Sequence, residues 1–259
     1  MNKKINTILI VLLAIILVAS STYLILQNKE DEKQETIFEE LSNIVTEENE
    51  ENVENEKNEE KYEIKANTIK EEKKIDINKL HQANSDFVGW LKIDNTSINY
   101  PVMQTENARK DYYLRKNFYK EYSQWGTPYI AEYCNILSSD NTIIYGHHIN
   151  GNKMFGELEK YKSKEFYNAH KNISFNTIYG KFNYEIIAVF KTNTDNGFKY
   201  YNFEKAKTKE EYKEFIDKCK EISLYNIDTT AEYGEKLITL STCDYSEQNG
   251  RFVVIAKKR

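Results

Sequence analysis

Hydrophobic and polar positions divide the chain into three regimes. From Ile8 to Leu26, nineteen successive residues carry no charge. Coiled as a helix at about 1.5 Å per residue, that run spans roughly 28 Å, close to the ~30 Å apolar core of a bilayer. It continues through Tyr23-Leu24-Ile25-Leu26, beyond the small residues Val18-Ala19-Ser20-Ser21 at which a signal peptide would be cut. It therefore reads as a retained anchor rather than a removed leader. Residues 27–74 are polar and lack the apolar side chains that would offset the entropy of ordering. Only Phe38, Leu41, Ile44 and Val45 keep helical spacing there, which predicts one short amphipathic helix in an otherwise extended tether. A tether of about fifty residues reaches on the order of 40 Å.

The third regime begins near Ile75 and has the short runs of a packed domain. Ile77, Leu80, His81 and Phe87 predict a short helix ending near Ser85-Asp86. Trp90–Ile93 and Ile98–Met103 read as strands about the turn Asp94-Asn95-Thr96, with Pro101 confined to an edge or bulge. Asp111–Phe118 is helical or turn-like, Gly126–Cys134 and Thr142–Tyr145 are strands, and Met154–Tyr161 and Glu165–His170 are short helices. Ile173–Ile178 and Phe182–Lys191 flank Tyr179-Gly180-Lys181, a hairpin turn in which glycine supplies positive φ. Lys207–Ile222 has helical periodicity through Tyr212, Phe215, Ile216 and Cys219. Lys236–Leu240 and Phe252–Ala256 are the last strands. Many short strands with few short helices predict a mixed, mainly antiparallel barrel.

Charge sharpens the division. Residues 30–60 hold fourteen acidic and two basic side chains, a net of −12, whereas residues 1–29 carry +3 and residues 61–259 carry +4. Lys3 and Lys4 precede the apolar run and the acidic stretch follows it, so the positive-inside rule puts the N-terminus in the cytoplasm. The expected organisation is a cytoplasmic tail 1–7, a transmembrane signal-anchor helix 8–26, an acidic extracellular linker 27–74 and a folded extracellular domain 75–259. No basic stripe interleaved with aromatics stands out, which argues against nucleic acid as a partner.

Candidate chemistry centres on Thr239-Leu240-Ser241-Thr242-Cys243, a strand ending on a cysteine, with Arg251 across a short polar loop. Nucleophilic cysteine catalysis needs a sulfur that ionises, an acid/base group and a donor for the oxyanion. Of four histidines, His147 and His148 stand at the end of an apolar strand, after Gly146. His81 and His170 fall among polar residues on predicted helices and read as surface positions. Each residue also has a bland reading. A strand cysteine is usually a small buried hydrophobe, a strand-end histidine is often structural, and an arginine can be a surface charge. Adjacent histidines rarely aim at one ion, and no carboxylate or cysteine has ligand spacing to them, so no metal is expected. Cys134 and Cys219 read as core, and a disulfide between them is left open.

Taken together, these residues resemble the sortases, and the class B branch in particular. Thr239–Cys243 is similar to the TLxTC signature with serine at the variable position. Tyr145-Gly146-His147-His148 is similar to the family's histidine motif, and Arg251 falls where the family's arginine does. Asp86–Ile93, Asn99–Gln104 and Tyr112–Leu114 add to the likeness, as does the predicted helix between His147 and Cys243. The resemblance covers Ile75 to Arg259. It implies an eight-stranded mixed β-barrel and a monomeric cysteine transpeptidase outside the cell, with no cofactor. Cys243 would attack the Thr carbonyl of a sorting motif in a secreted protein, with His147 as acid and base. Arg251 would hold the substrate and oxyanion, helped by the backbone N–H of Asp244, and Ser241 would wall the acyl site. The acceptor would be a peptidoglycan-precursor amine. A class B enzyme that joins pilins through lysine and a tethered module with an inert cysteine are the alternatives. A papain-like order is disfavoured because His147 precedes Cys243.

Overall fold

The computed structural model describes residues 3–44, 75–105 and 109–259. One helix, α1, runs unbroken from Lys3 to Ser42, and the apolar run Ile8–Leu26 is its exposed first half. Its second half differs from the expected tether. Gln34, Ile37, Phe38 and Leu41 are buried, a stripe one helical face wide, against the folded domain. Phe38 packs on Tyr100 with ring centroids 5.0 Å apart, Ser123 Oγ donates to Gln34 Oε1 at 2.8 Å, and Trp125 Nε1 donates to Asp31 Oδ1 at 2.7 Å. A domain boundary at Ile75 therefore cuts off a helix that the barrel buries. The expected linker beyond Ile44 lies outside the described residues as far as Lys74.

The domain is a closed barrel of eight strands, as expected. Its strands are β1 (Phe87–Lys92), β2 (Asn99–Met103), β3 (Tyr129–Ile130), β4 (Asn141–Tyr145), β7 (Asn172–Thr177), β8 (Gly180–Asn193), β9 (Leu237–Asp244) and β10 (Gly250–Lys258). Around the barrel they run β1-β2-β3-β4-β9-β10-β8-β7. Two neighbouring pairs, β2 with β3 and β4 with β9, are parallel and the rest antiparallel. β2 meets β3 only at Met103, so Pro101 lies where β2 is nearly an edge and its missing N–H costs little. A small hairpin, β5 (His148–Ile149) and β6 (Lys153–Met154), follows β4. It was not legible as strand. The predicted Gly126–Cys134 strand shrinks to two residues, because Gly126 at φ 61° and a turn from Ala131 to Cys134 bend the chain on either side.

Among the described residues three short α-helices decorate the barrel: α2 (Ile77–Ala83), α3 (Lys164–Ala169) and α4 (Lys209–Glu221). In α4, Thr208 caps the N-terminus by accepting from Glu211 N at 3.2 Å, with Glu210 and Glu211 in the first turn and Lys218 and Lys220 in the last. That arrangement complements the helix dipole. The apolar face of α4, Tyr212, Phe215, Ile216 and Cys219, is buried, and Phe215 stacks on Phe203 at 3.9 Å. The short helix expected over Met154–Tyr161 is a 3₁₀ helix, Phe155–Lys162, with Phe155, Leu158 and Tyr161 buried.

Candidate active site

The parallel pairing of β4 and β9 assembles the site. Their last paired residues are Tyr145 and Ser241, so both strands reach the same rim. His147 stands two residues past Tyr145 and Cys243 two past Ser241. A buried hydrogen bond from Thr239 Oγ1 to Asn141 Oδ1, 2.7 Å, ties the two strands together further back. Antiparallel β10 then returns with Arg251 directly opposite Cys243. Opposed residues of a ladder project on one face, so Cys243 and Arg251 share the face that opens on the rim. Cys243, Arg251, His147 and Ser241 all line one cavity of about 410 Å³, with Leu114 and Tyr145 among its other walls.

Each side chain has a defined anchor. Arg251 Nη1 donates to the Gly250 carbonyl at 2.9 Å. His147 Nε2 lies 2.8 Å from the carbonyl oxygen of Leu114, at the 3₁₀ turn Tyr112–Arg115. A carbonyl only accepts, so Nε2 carries its hydrogen and Nδ1 is the nitrogen left for proton exchange. Burial holds the His147 pKa below the ordinary histidine value. The Leu114 carbonyl opposes this shift and the charge of Arg115 adds to it. Cys243 is half-buried, and its own carbonyl accepts from His148 Nδ1 at 3.0 Å. His148 also lies 3.8 Å from Glu159 and under the ring of Tyr245, 4.9 Å between centroids. The two adjacent histidines thus do different things: one ring lines the cavity, the other holds the backbone of the cysteine.

A family model described as Sortase domain matches residues 91–259. The chain belongs to the sortase family. Sortase B of Staphylococcus aureus is 36% identical over 192 residues, covering 73% of this chain and 76% of that protein. Sortase B of Listeria monocytogenes is 34% identical over 193 residues, with the same two shares, 73% and 76%. A solved structure described as a Staphylococcus aureus sortase B-substrate complex aligns at a TM-score of 0.65 and 35% identity, covering 71% of this chain and 84% of that one. The branch is class B, and this sortase is a cysteine transpeptidase by family.

In this sortase the side chains of Ser241 and Asp244 take different places. Ser241 is buried on the cavity with its Oγ 2.5 Å from Tyr200 Oη. Asp244 does not line the cavity. Its buried carboxylate pairs with Lys191 Nζ at 2.6 Å and accepts from Ser246 N at 3.0 Å. Burial alone would raise the Asp244 pKa, but the bond to Lys191 and those from Ser246 outweigh it and hold the group ionised. Cys134 and Cys219 are free and buried, and burial pushes the Cys134 thiol up to about 12. Such thiols are inert at neutral pH. His81 and His170 are half-buried rather than surface residues, each ring bonded to a backbone carbonyl, Phe87 O at 2.8 Å and Phe166 O at 2.9 Å. Among the described residues no group of three or more His, Cys, Asp or Glu converges as a metal site would require. Sequence reasoning missed Tyr200 and Tyr133 and took Tyr145 only as part of the histidine motif; the three hydroxyls line or brace the cavity, with Tyr133 and Tyr145 3.1 Å apart. Nothing in their spacing marks them out among twenty tyrosines.

Proposed function

We propose that this sortase cleaves a C-terminal sorting motif of secreted proteins at a Thr carbonyl and passes the acyl group to an amine of a cell-wall precursor. Cys243 gives its thiol proton to His147 Nδ1 and attacks the carbonyl carbon, the C–N bond breaks, and a thioester forms as the amine leaves with that proton. The acceptor amine then attacks the thioester and gives a proton to Nδ1, and the released Cys243 sulfur takes that proton back. Arg251 donates hydrogen bonds to the developing oxyanion and the substrate backbone. The low proton affinity of buried His147 makes its imidazolium a ready donor to the departing amine.

The observation that carries this reading is the direct cross-strand pairing of Cys243 with Arg251 on the cavity that His147 also lines. The relative solved with its substrate supports the same class of ligand. Residues 1–7 lie in the cytoplasm, residues 8–26 cross the membrane, and the barrel works outside as a monomer. That topology rests on the length of the apolar helix and the lysines before it. Incubation of the full chain with a quenched sorting peptide and an amine acceptor tests the chemistry. Product formation is lost in Cys243→Ala and in His147→Ala but kept in His148→Ala. Turnover that persists without Cys243 sinks the assignment.

A further inference from the structure

α1 fixes the height of the barrel above the bilayer. Residues 3–42 contain no glycine or proline, and the helix is continuous from the apolar run into the part that the barrel buries. No hinge of the usual kind stands at the membrane surface. Counting from Leu26 at about 1.5 Å per residue, Asp31 lies about 8 Å and Lys33 about 10 Å beyond the apolar edge. The headgroup layer is itself roughly 5–8 Å deep on each side. At these two levels α1 holds one loop: Asp31 accepts from Trp125 Nε1, and Lys33 pairs with Glu121 at 2.9 Å. Contacts with other parts of the domain come later along α1, at Glu35 with Lys153, about 14 Å beyond the edge, and at Phe38 with Tyr100, about 18 Å beyond it.

The lowest loop carries two outward aromatics. Tyr119 is 51% and Tyr122 64% exposed. Its charges are matched internally, Lys120 to Asp86 at 2.8 Å and Glu121 to Lys33. Asn117 Oδ1 accepts from the backbone N–H of Tyr119 and of Glu121, both at 3.0 Å, which keeps the loop shaped. A rigid loop at headgroup level that presents tyrosines and few unmatched charges has the chemistry of an interfacial aromatic belt. We propose that Tyr119–Tyr122 rests on the headgroup layer of the leaflet that α1 leaves, giving the barrel a second membrane contact and one fixed orientation. The contact is aromatic, so it does not depend on anionic lipid. The inference rests on the reading of Ile8–Leu26 as the anchor.

The test uses the full chain in phosphatidylcholine vesicles, with single-tryptophan additions read against the parent. Nitroxide on the lipid headgroup is the shallow quencher and bromine deep in the acyl chain the other. Leu17→Trp reports the anchor. Tyr179→Trp, on the turn between β7 and β8, is the distal control: neighbouring Lys181 shares a pocket with Ser42, about 24 Å up α1 from Leu26. The expected result is loss of emission by Leu17→Trp with deep bromine. Tyr119→Trp and Tyr122→Trp lose emission to headgroup nitroxide, alike with and without added anionic lipid, and Tyr179→Trp does not. Deep quenching of Leu17→Trp with Tyr122→Trp no different from Tyr179→Trp overturns the loop contact alone. Absence of quenching at Leu17 overturns the anchor and the contact with it.

Discussion

Cys243 and Arg251 are held by a strand ladder, whereas His147 stands two residues beyond the end of one. The β10 side of the site has paired neighbours in both directions, β9 on one edge and β8 on the other, so the positions of the thiol and the guanidinium are set by backbone register. The histidine side has beside it only the two-residue pairing of β5 with β6. It depends on Gly146 N donating to Ser241 O at 3.1 Å, Phe155 N donating to His147 O at 2.9 Å, and one ring bond to Leu114 O. The first side is rigid because a one-residue slip would turn every core side chain outward. The second is a set of single contacts that one substitution can move. This division suits chemistry in which the nucleophile stays put and the proton carrier meets two different amines in turn.

The largest effects test whether the two sides form one catalytic unit. Cys243→Ala lowers transpeptidation by about four orders of magnitude or more, and His147→Ala by about 10²- to 10⁴-fold. The double variant is no worse than Cys243→Ala if they act together, which single-turnover kinetics reads directly. Next comes the rigid side: Arg251→Lys keeps the charge but loses the planar fork, and kcat/KM falls about 10²-fold with little change in Tm. Equal activity of the lysine variant removes the oxyanion role. On the looser side, a Cβ at Gly146 meets the fully buried Phe155 ring at 2.6 Å. Gly146→Ala therefore costs about 1–3 kcal/mol of stability and displaces His147, so denaturant unfolding and peptide turnover fall together. The smallest effect is a pH dependence. His147 has a lower pKa folded than unfolded, so the unfolded chain binds the extra proton first as pH falls. Its contribution is fully present above the unfolded value near 6.5 and is lost on the way down to the folded one. The Tm difference between parent and His147→Gln shrinks from about pH 8 to about pH 5, and a flat difference contradicts the buried, neutral ring.

The same contrast governs what was legible in the sequence. Strands β1, β4, β7 and β8 showed through alternation and β-branched runs, because a barrel strand must bury one face. Cys243, His147 and Arg251 showed because they combine rare residue types with a recognisable order. The partner of α1 did not show. Phe38, Leu41 and Ile44 revealed an apolar stripe, but its receiving surface includes Tyr100, and its polar contacts, Ser123 with Gln34 and Trp125 with Asp31, join residues about ninety apart. Nor could the division of labour between His147 and His148 be read, since both rings bond to backbone carbonyls, Leu114 and Cys243, that carry no side-chain signature. Asp244 drew attention through its backbone N–H beside Cys243, and nothing in the sequence said where its carboxylate would go. Alternation along β9 sends that carboxylate to Lys191.

The parallel seam between β4 and β9 also sets when the enzyme becomes an enzyme. Its tie from Thr239 to Asn141 joins residues 98 apart, and the bond from His148 to the Cys243 carbonyl joins residues 95 apart. Loops of that length are slow to close, and non-local pairing is what slows the folding of β-rich domains. β9 and β10 come last in chain order and supply both the thiol and the guanidinium. A chain that has emerged only as far as β8 holds the imidazole without the thiol or the guanidinium. Barrel closure is therefore the step that brings the thiol and the guanidinium to the imidazole on one rim.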